Sequence, residues 1–247
     1  MPTHGPRSAV FTTMLIDEQG YAADWPRHFA RLQQHAKRLR IQLPNHPPTV
    51  ASTESTRCLV RVGYTSGADD WLVEFRPITV RNESIDAITV EAPRWNTRTN
   101  GTKHGEWKPY LDARQAAERM GCDAALLVSD FSIVDGDRAT PMVLDEDGTV
   151  WIPHEREGGV TGITAALLEE KLPAQGMPVV RGKLNERMVA RCMELVLVGT
   201  GMGVCKVETL DGEPLGTSAV LSKACQQVLH QHFTEGSTWG AVGQQRV

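Results

Sequence analysis

The stretch that decides the reading is Asn100-Gly101-Thr102-Lys103-His104-Gly105-Glu106-Trp107-Lys108-Pro109-Tyr110. It sets a lysine in a loop, behind an extended segment and ahead of a helix expected over residues 110–120. A lysine amine is a working nucleophile only where burial or neighbouring charge keeps part of it neutral, and a loop between two regular elements can hold one in such a place. Most lysines are solvated surface charges, so the weight given to Lys103 depends on what flanks it.

With 247 residues, 40% hydrophobic and 23% charged, the chain is long enough for two modest domains with real cores. A net charge of -4 without any basic run argues against nucleic acid or a membrane surface as partner and leaves small molecules. The cysteines (Cys58, Cys122, Cys192, Cys205, Cys225) are scattered and never spaced Cys-x-x-Cys, which reads as reduced core thiols of a cytoplasmic protein with no metal site. The first residues hold no apolar signal region, and no segment approaches the ~18 apolar residues of a membrane span, so neither export nor membrane insertion is expected.

Working back from the lysine, residues 10–16 are a β-rich run that turns at 17–20 toward a hairpin partner at 21–23. Asp24 is the expected N-cap of a helix with Pro26 in its first turn, and Phe29, Leu32, Ala36 and Leu39 form its buried stripe. Arg27, Arg31, Gln34 and Arg38 lie beside or opposite that stripe and are expected to be mostly solvated. After a proline- and threonine-rich connection over 45–55, residues 58–64 and 71–76 alternate as strands around Ser66-Gly67, and 78–80 and 85–90 continue the β character. Residues 93–101 lose the periodicity, which predicts a small N-terminal domain over 1–97 and a larger one over 98–247.

Working forward, the helix over 110–120 stops at Gly121; 124–129 and 133–134 read as strands, and 142–144 pairs with 150–152 across the 145–148 turn. Gly158-Gly159-Val160-Thr161-Gly162-Ile163-Thr164 leads into a helix over 165–171, and such an entry points N–H groups outward, as a phosphate requires. Further strands are expected at 179–181, 194–198 and 204–209, a helix at 185–191, a second glycine-rich turn at Gly199-Thr200-Gly201-Met202-Gly203, and an amphipathic closing helix over 218–233.

Four of these stretches, taken in order, resemble the landmarks of the class IV aminotransferases: His28-Phe29-Ala30-Arg31-Leu32; Lys103-His104 with Ala113-Arg114-Gln115 and Gly121-Cys122-Asp123; Gly162-Ile163-Thr164; and Gly199-Thr200. That family of pyridoxal 5'-phosphate enzymes includes branched-chain and D-amino-acid aminotransferases and 4-amino-4-deoxychorismate lyase, and the resemblance runs over residues 10–216. It implies an α+β fold of two domains, a small N-terminal α/β sandwich and a larger C-terminal β-barrel-like domain with flanking helices, assembled as a homodimer. It implies that Lys103 forms the Schiff base with the cofactor aldehyde and then acts as the proton-transfer base. Lys108 is the rival, but the spacing back from Gly121 favours Lys103. Arg31, the backbone N–H groups of Ile163 and Thr164, and Thr200 would bind the cofactor phosphate. Asp135 would stand beside the pyridine nitrogen, where the family has glutamate.

The chain also departs from the pattern. Asp135 is one methylene short, Arg138-Ala139-Thr140 replaces Thr-Ser-Asn, and Glu106-Trp107 replaces the Asn or Asn-Tyr that follows the lysine. A degenerate member without catalysis is therefore one reading to test. Phe11-Thr12-Thr13 resembles the lyase branch, in which a threonine hydroxyl of the first strand sits near the cofactor; Thr13 is the candidate, although both threonines also suit a plain strand. The activity implied is conversion of 4-amino-4-deoxychorismate to 4-aminobenzoate and pyruvate, a step toward folate, with a branched-chain or D-amino-acid aminotransferase as the alternative. Arg94, Arg98, Arg138 and a partner subunit stay open as anchors for substrate carboxylates.

Overall fold

The computed structural model describes residues 5–50, 56–78 and 83–243. The chain forms two compact units, and neither is contiguous: Met1–Thr79, Thr102–Trp107 and Gln231–Val247 make the first, and Val80–Gly101 and Lys108–His230 the second. The lysine stretch Thr102–Trp107 and the segment Gln231–Val247 fall in the first of these units.

In the first unit the β-rich run becomes β1 (Ala9–Ile16), which turns into β2 (Tyr21–Ala23) as expected. α1 (Trp25–Leu39) follows, then β3 (Cys58–Thr65) and β4 (Leu72–Pro77). With β15 (Trp239–Ala241) these strands form an antiparallel sheet in the order β15-β2-β1-β3-β4. α1 packs Leu32, Ala36 and Leu39 against Val10 and Tyr64, while Met14, Ile16, Val60 and Val62 surround Trp25. Two expectations for α1 fail. Asp24 does not cap with its side chain; it takes a left-handed φ of 53° and its carboxylate binds His232 Nε2 at 2.9 Å. Arg31 is not solvated, because the buried face is wider than the apolar stripe and takes in His28, Arg31 and His35. Residues 51–55 of the expected connection, and 79 and 80 of the expected extended run, lie outside the described residues.

The second unit is a mixed sheet that nearly closes into a barrel. Its elements are β5 (Ser84–Glu91), α2 (Lys108–Arg119), β6 (Ala124–Ser129), β7 (Ser132–Gly136), β8 (Thr140–Leu144), β9 (Val150–Pro153) and α3 (Ile163–Lys171). β10 (Val179–Gly182), β11 (Leu184–Asn185), α4 (Glu186–Ala190), β12 (Glu194–Gly199), β13 (Gly203–Leu210) and β14 (Glu213–Pro214) follow, and α5 (Val220–Thr234) leads back to the first unit. The strand order is β10-β9-β8-β12-β13-β5-β6-β7-β11, with β11 and β7 packing near β9. β8 and β9 pair antiparallel as their turn predicts, whereas β10 runs parallel to β9, β5 to β13 and β6 to β5. Strands buried on both faces read as continuous apolar runs, and Leu126, Val143, Leu195, Leu197 and Val207 fill the interior. The buried Glu194 carboxylate holds the start of α5, accepting the N–H groups of Leu221 at 2.8 Å and Ser222 at 3.0 Å. Among the described residues no helix is long and apolar enough to cross a membrane.

Candidate active site

Lys103 belongs to a segment laid against the start of the chain. Gly105 N–H donates to the Pro6 carbonyl at 3.3 Å, His104 bridges Val10 antiparallel, and Phe11 N–H donates to the Lys103 carbonyl at 3.4 Å. Only glycine fits at 105, where a Cβ would run into Ser8 Oγ and the Ala9 nitrogen. From the other side, Lys103 N–H donates to His35 Nδ1 at 3.1 Å. The lysine backbone is therefore held at both its polar groups by two different elements. Its amine lies 4.7 Å from the centre of the Trp107 ring and 5.2 Å from that of Phe11, and these rings meet edge to face at 5.1 Å. Trp107, one of the departures in sequence, is thus a wall of the lysine's surroundings and attracts its ammonium form.

α1 supplies the rest of this group. Arg31 Nη2 donates to Thr12 Oγ1 at 2.9 Å, and Thr12 Oγ1 hydrogen-bonds His28 Nδ1 at 2.8 Å. Burial, then the charges of Arg31 and Lys103, push His28 well below 6.5. His35 falls to about 3 through burial and then Arg31, Lys103, Arg38 and His104, and His104 to about 4 through burial. Burial lowers Arg31 to about 10, which leaves it charged at neutral pH. The imidazoles are neutral while the Arg31 guanidinium keeps its charge, so this group is cationic and suits an anion.

Alternation along β1 sends Thr12 toward α1 and Thr13 to the face shared with Phe11. Thr13 is half-buried and opposite Arg61 in the sheet register, and the Arg61 guanidinium sits over the Phe11 ring with Cζ 3.8 Å from its centre. Arg61 and the Lys103 amine thus flank one aromatic ring, with Thr13 on the same strand face. Sequence reading passed over Arg61; its only signal was the alternation of β3, which gives a face but no neighbour.

In the second unit, buried Asp135 closes β7. Its Oδ1 accepts Gly136 N–H at 2.9 Å and its Oδ2 accepts Val160 N–H at 2.9 Å. The second contact requires Gly159, since a Cβ there would run into the Val134 carbonyl. Gly159 therefore serves a close backbone crossing over β7, while Gly158, at a left-handed φ of 121°, lies against the Asn100 side chain. The expected phosphate turn comes after Gly159, at the N-terminus of α3, where no side chain caps the helix and Thr164 Oγ1 lies 3.4 Å from Thr200 Oγ1. Ile163, Thr164 and Thr200 are thus brought together. Tyr110, also missed in sequence, is buried, and its hydroxyl is pushed above the ordinary range by burial and then by the Asp135 charge.

Other candidates are engaged elsewhere. Lys108 Nζ pairs with both Asp112 oxygens, at 2.7 and 2.6 Å, on an exposed helix face. Arg138 donates to Asp137 Oδ2 at 2.8 Å and to the Asp123 carbonyl at 2.7 Å, tying the 137–138 loop to the start of β6. Arg94 is exposed beside Glu91 at 3.6 Å, and Arg98 is exposed. Among the described residues no His, Cys, Asp and Glu side chains gather as a metal ion would require.

Residues 9–210 match the family model described as amino-transferase class IV. No curated protein matches the chain. Solved structures do: a branched-chain aminotransferase from Thermoproteus uzoniensis with norvaline is 16% identical with a TM-score of 0.80, over 95% of this chain and 90% of that one. A hypothetical aminotransferase from Mycobacterium tuberculosis in its PLP-bound form is 18% identical with a TM-score of 0.78, over 92% and 89%. A candidate 4-amino-4-deoxychorismate lyase from Legionella pneumophila is 15% identical with a TM-score of 0.78, over 94% and 96%. At such identities the structural likeness carries the fold, and the family model carries the membership. The chain belongs to the class IV aminotransferases, a family of pyridoxal-phosphate-dependent enzymes.

Proposed function

We propose that the protein is a 4-amino-4-deoxychorismate lyase, releasing 4-aminobenzoate and pyruvate, with Lys103 as its catalytic residue. The observation that carries this reading is the Phe11 ring flanked by the Lys103 amine and the Arg61 guanidinium, with Thr13 on the same strand face. A substrate with one amine and two carboxylates calls for such a set: an amine at the reacting carbon, a fixed cation within reach, and a hydroxyl.

The residues present fit the family's cofactor. In the first unit the buried Arg31 guanidinium, set among neutral imidazoles, suits an anion, and Arg31 would take the phosphate while Lys103 would take the aldehyde carbon. In the second, the N–H groups of Ile163 and Thr164 and the Thr200 hydroxyl would take phosphate oxygens, and Asp135, fixed by two backbone N–H groups, would face the pyridine nitrogen. When bound, the cofactor supplies an electron sink for charge developing on the substrate carbon. Lys103 Nζ would then carry the proton removed from that carbon, with the Trp107 and Phe11 rings beside the amine. Thr13 Oγ1 would protonate or orient the leaving enolpyruvyl oxygen. The same reading has the enzyme work in the cytoplasm, its cysteines free thiols, as a homodimer.

Purified protein is expected to show a visible cofactor band that borohydride shifts and Lys103→Ala abolishes. No band after soaking with pyridoxal phosphate would refute the enzyme reading, and a band retained in Lys103→Ala would move the role to Lys108. Release of pyruvate and 4-aminobenzoate from 4-amino-4-deoxychorismate without a keto acid is the expected result; turnover that requires 2-oxoglutarate or pyruvate as acceptor would make the protein an aminotransferase.

A further inference from the structure

We infer that His35 is a positioning residue for Lys103, holding the lysine backbone N–H on the lone pair of its Nδ1. No motif in the sequence marks it, and it never touches the reacting atoms. The inference rests on Lys103 being the reactive lysine, and it concerns how that lysine is aimed.

The argument begins with the hydrogen bond. A backbone N–H is only ever a donor, so His35 Nδ1 at 3.1 Å must be unprotonated and the ring proton must sit on Nε2. A doubly protonated ring would turn N–H against N–H. The surroundings enforce the single tautomer: His35 is buried on α1, with Arg31 and Arg38 on its own helix and Lys103 and His104 on the facing segment, all opposing a further positive charge. The Lys103 carbonyl is meanwhile held by Phe11 N–H at 3.4 Å, and His104 bridges Val10. The sheet therefore fixes one side of the lysine's peptide and His35 fixes the other. Without the second anchor the segment can pivot about β1, and a shift of ~1 Å at a reacting amine costs about a hundredfold in rate. A purely apolar residue of the same size would fill the space but could not restrain that pivot.

Three substitutions separate anchoring from packing. Asn can present Oδ1 near the position of Nδ1, Phe fills the volume without an acceptor, and Ala does neither. Amide hydrogen exchange over residues 102–107 of the protein without added cofactor is expected to speed up by about tenfold in His35→Phe and His35→Ala and to return toward the parent rate in His35→Asn. The rate at which pyridoxal phosphate develops its visible band, and kcat with KM little changed, should follow the same order. ¹⁵N NMR of the parent protein should give an unprotonated Nδ1 and a protonated Nε2 across pH 5–8. A protonated Nδ1, or His35→Phe behaving like the parent while His35→Asn does not, would overturn the inference. The exchange and tautomer measurements do not depend on the role of Lys103, whereas the Lys103→Ala spectrum does, so the two ideas fail separately.

Discussion

Acid should unfold this protein through its histidines before its carboxylates matter. His35 and His104 are buried, at 3% and 0% exposure, with folded pKa values of about 3 and about 4 against 6.5 for a free imidazole. Between those limits the unfolded chain binds protons that the folded chain refuses. Stability is therefore complete above pH 6.5 and is lost as pH falls through the window toward 4. At about 1.4 kcal/mol per pH unit for each proton taken up on unfolding, moving from pH 6.5 to 5 costs about 1.5 kcal/mol per group, or about 3 kcal/mol for the pair. His28, displaced the same way, adds to the loss. Against a typical domain stability of ~5–15 kcal/mol this is a large fraction. Urea unfolding followed by tryptophan fluorescence at pH 7.5, 6.5 and 5.0, without added cofactor, measures it directly. The window stays above the range where most carboxylates titrate, so the slope belongs to imidazoles. A loss below about 1 kcal/mol between pH 6.5 and 5, or folded-state proton resonances of His35 and His104 titrating near 6.5, would refute the reasoning.

Two further outcomes follow from single contacts. Arg31→Ala should weaken pyridoxal phosphate binding by about 10- to 100-fold, the worth of a charge-assisted contact, as read by absorbance titration; unchanged affinity would remove Arg31 from the phosphate site. Gly159→Ala should destabilise the protein by about 1–3 kcal/mol and loosen Val160 from Asp135, because the added methyl meets the Val134 carbonyl and backbone cannot step aside; Gly236→Ala, with open space around it, is the neutral control in the same melting assay.

Much of the architecture is local and could be read as text. The β-rich run of residues 10–16, the β1–β2 and β8–β9 hairpins, and the helices α3, α4 and α5 each follow from residue type, period and turn chemistry carried within a few residues. The candidate site was legible only through the resemblance of short stretches to the family's landmarks, which points to Lys103, Arg31, Asp135 and the two glycine-rich turns. What remained hidden were relations between distant segments. Periodicity gives the face of a strand but not its partner, so neither Arg61 beside Thr13 nor the parallel course of β10 along β9 could be foreseen. An amphipathic stripe gives the apolar residues of α1 but not the polar ones buried with them, and so Arg31 was expected in solvent and His35 was not considered. Gly159 reads in sequence as part of a phosphate loop, whereas in the fold it makes room for β7 at the Val134 carbonyl. Sequence by itself carried the family and singled out Lys103 as the candidate reactive lysine, because both readings depend on residue identity at short range. Tertiary structure alone decided how that lysine is held, because its anchors are 68 residues away at His35 on α1 and farther still at Phe11 on β1, and only folding brings a backbone N–H to an imidazole lone pair.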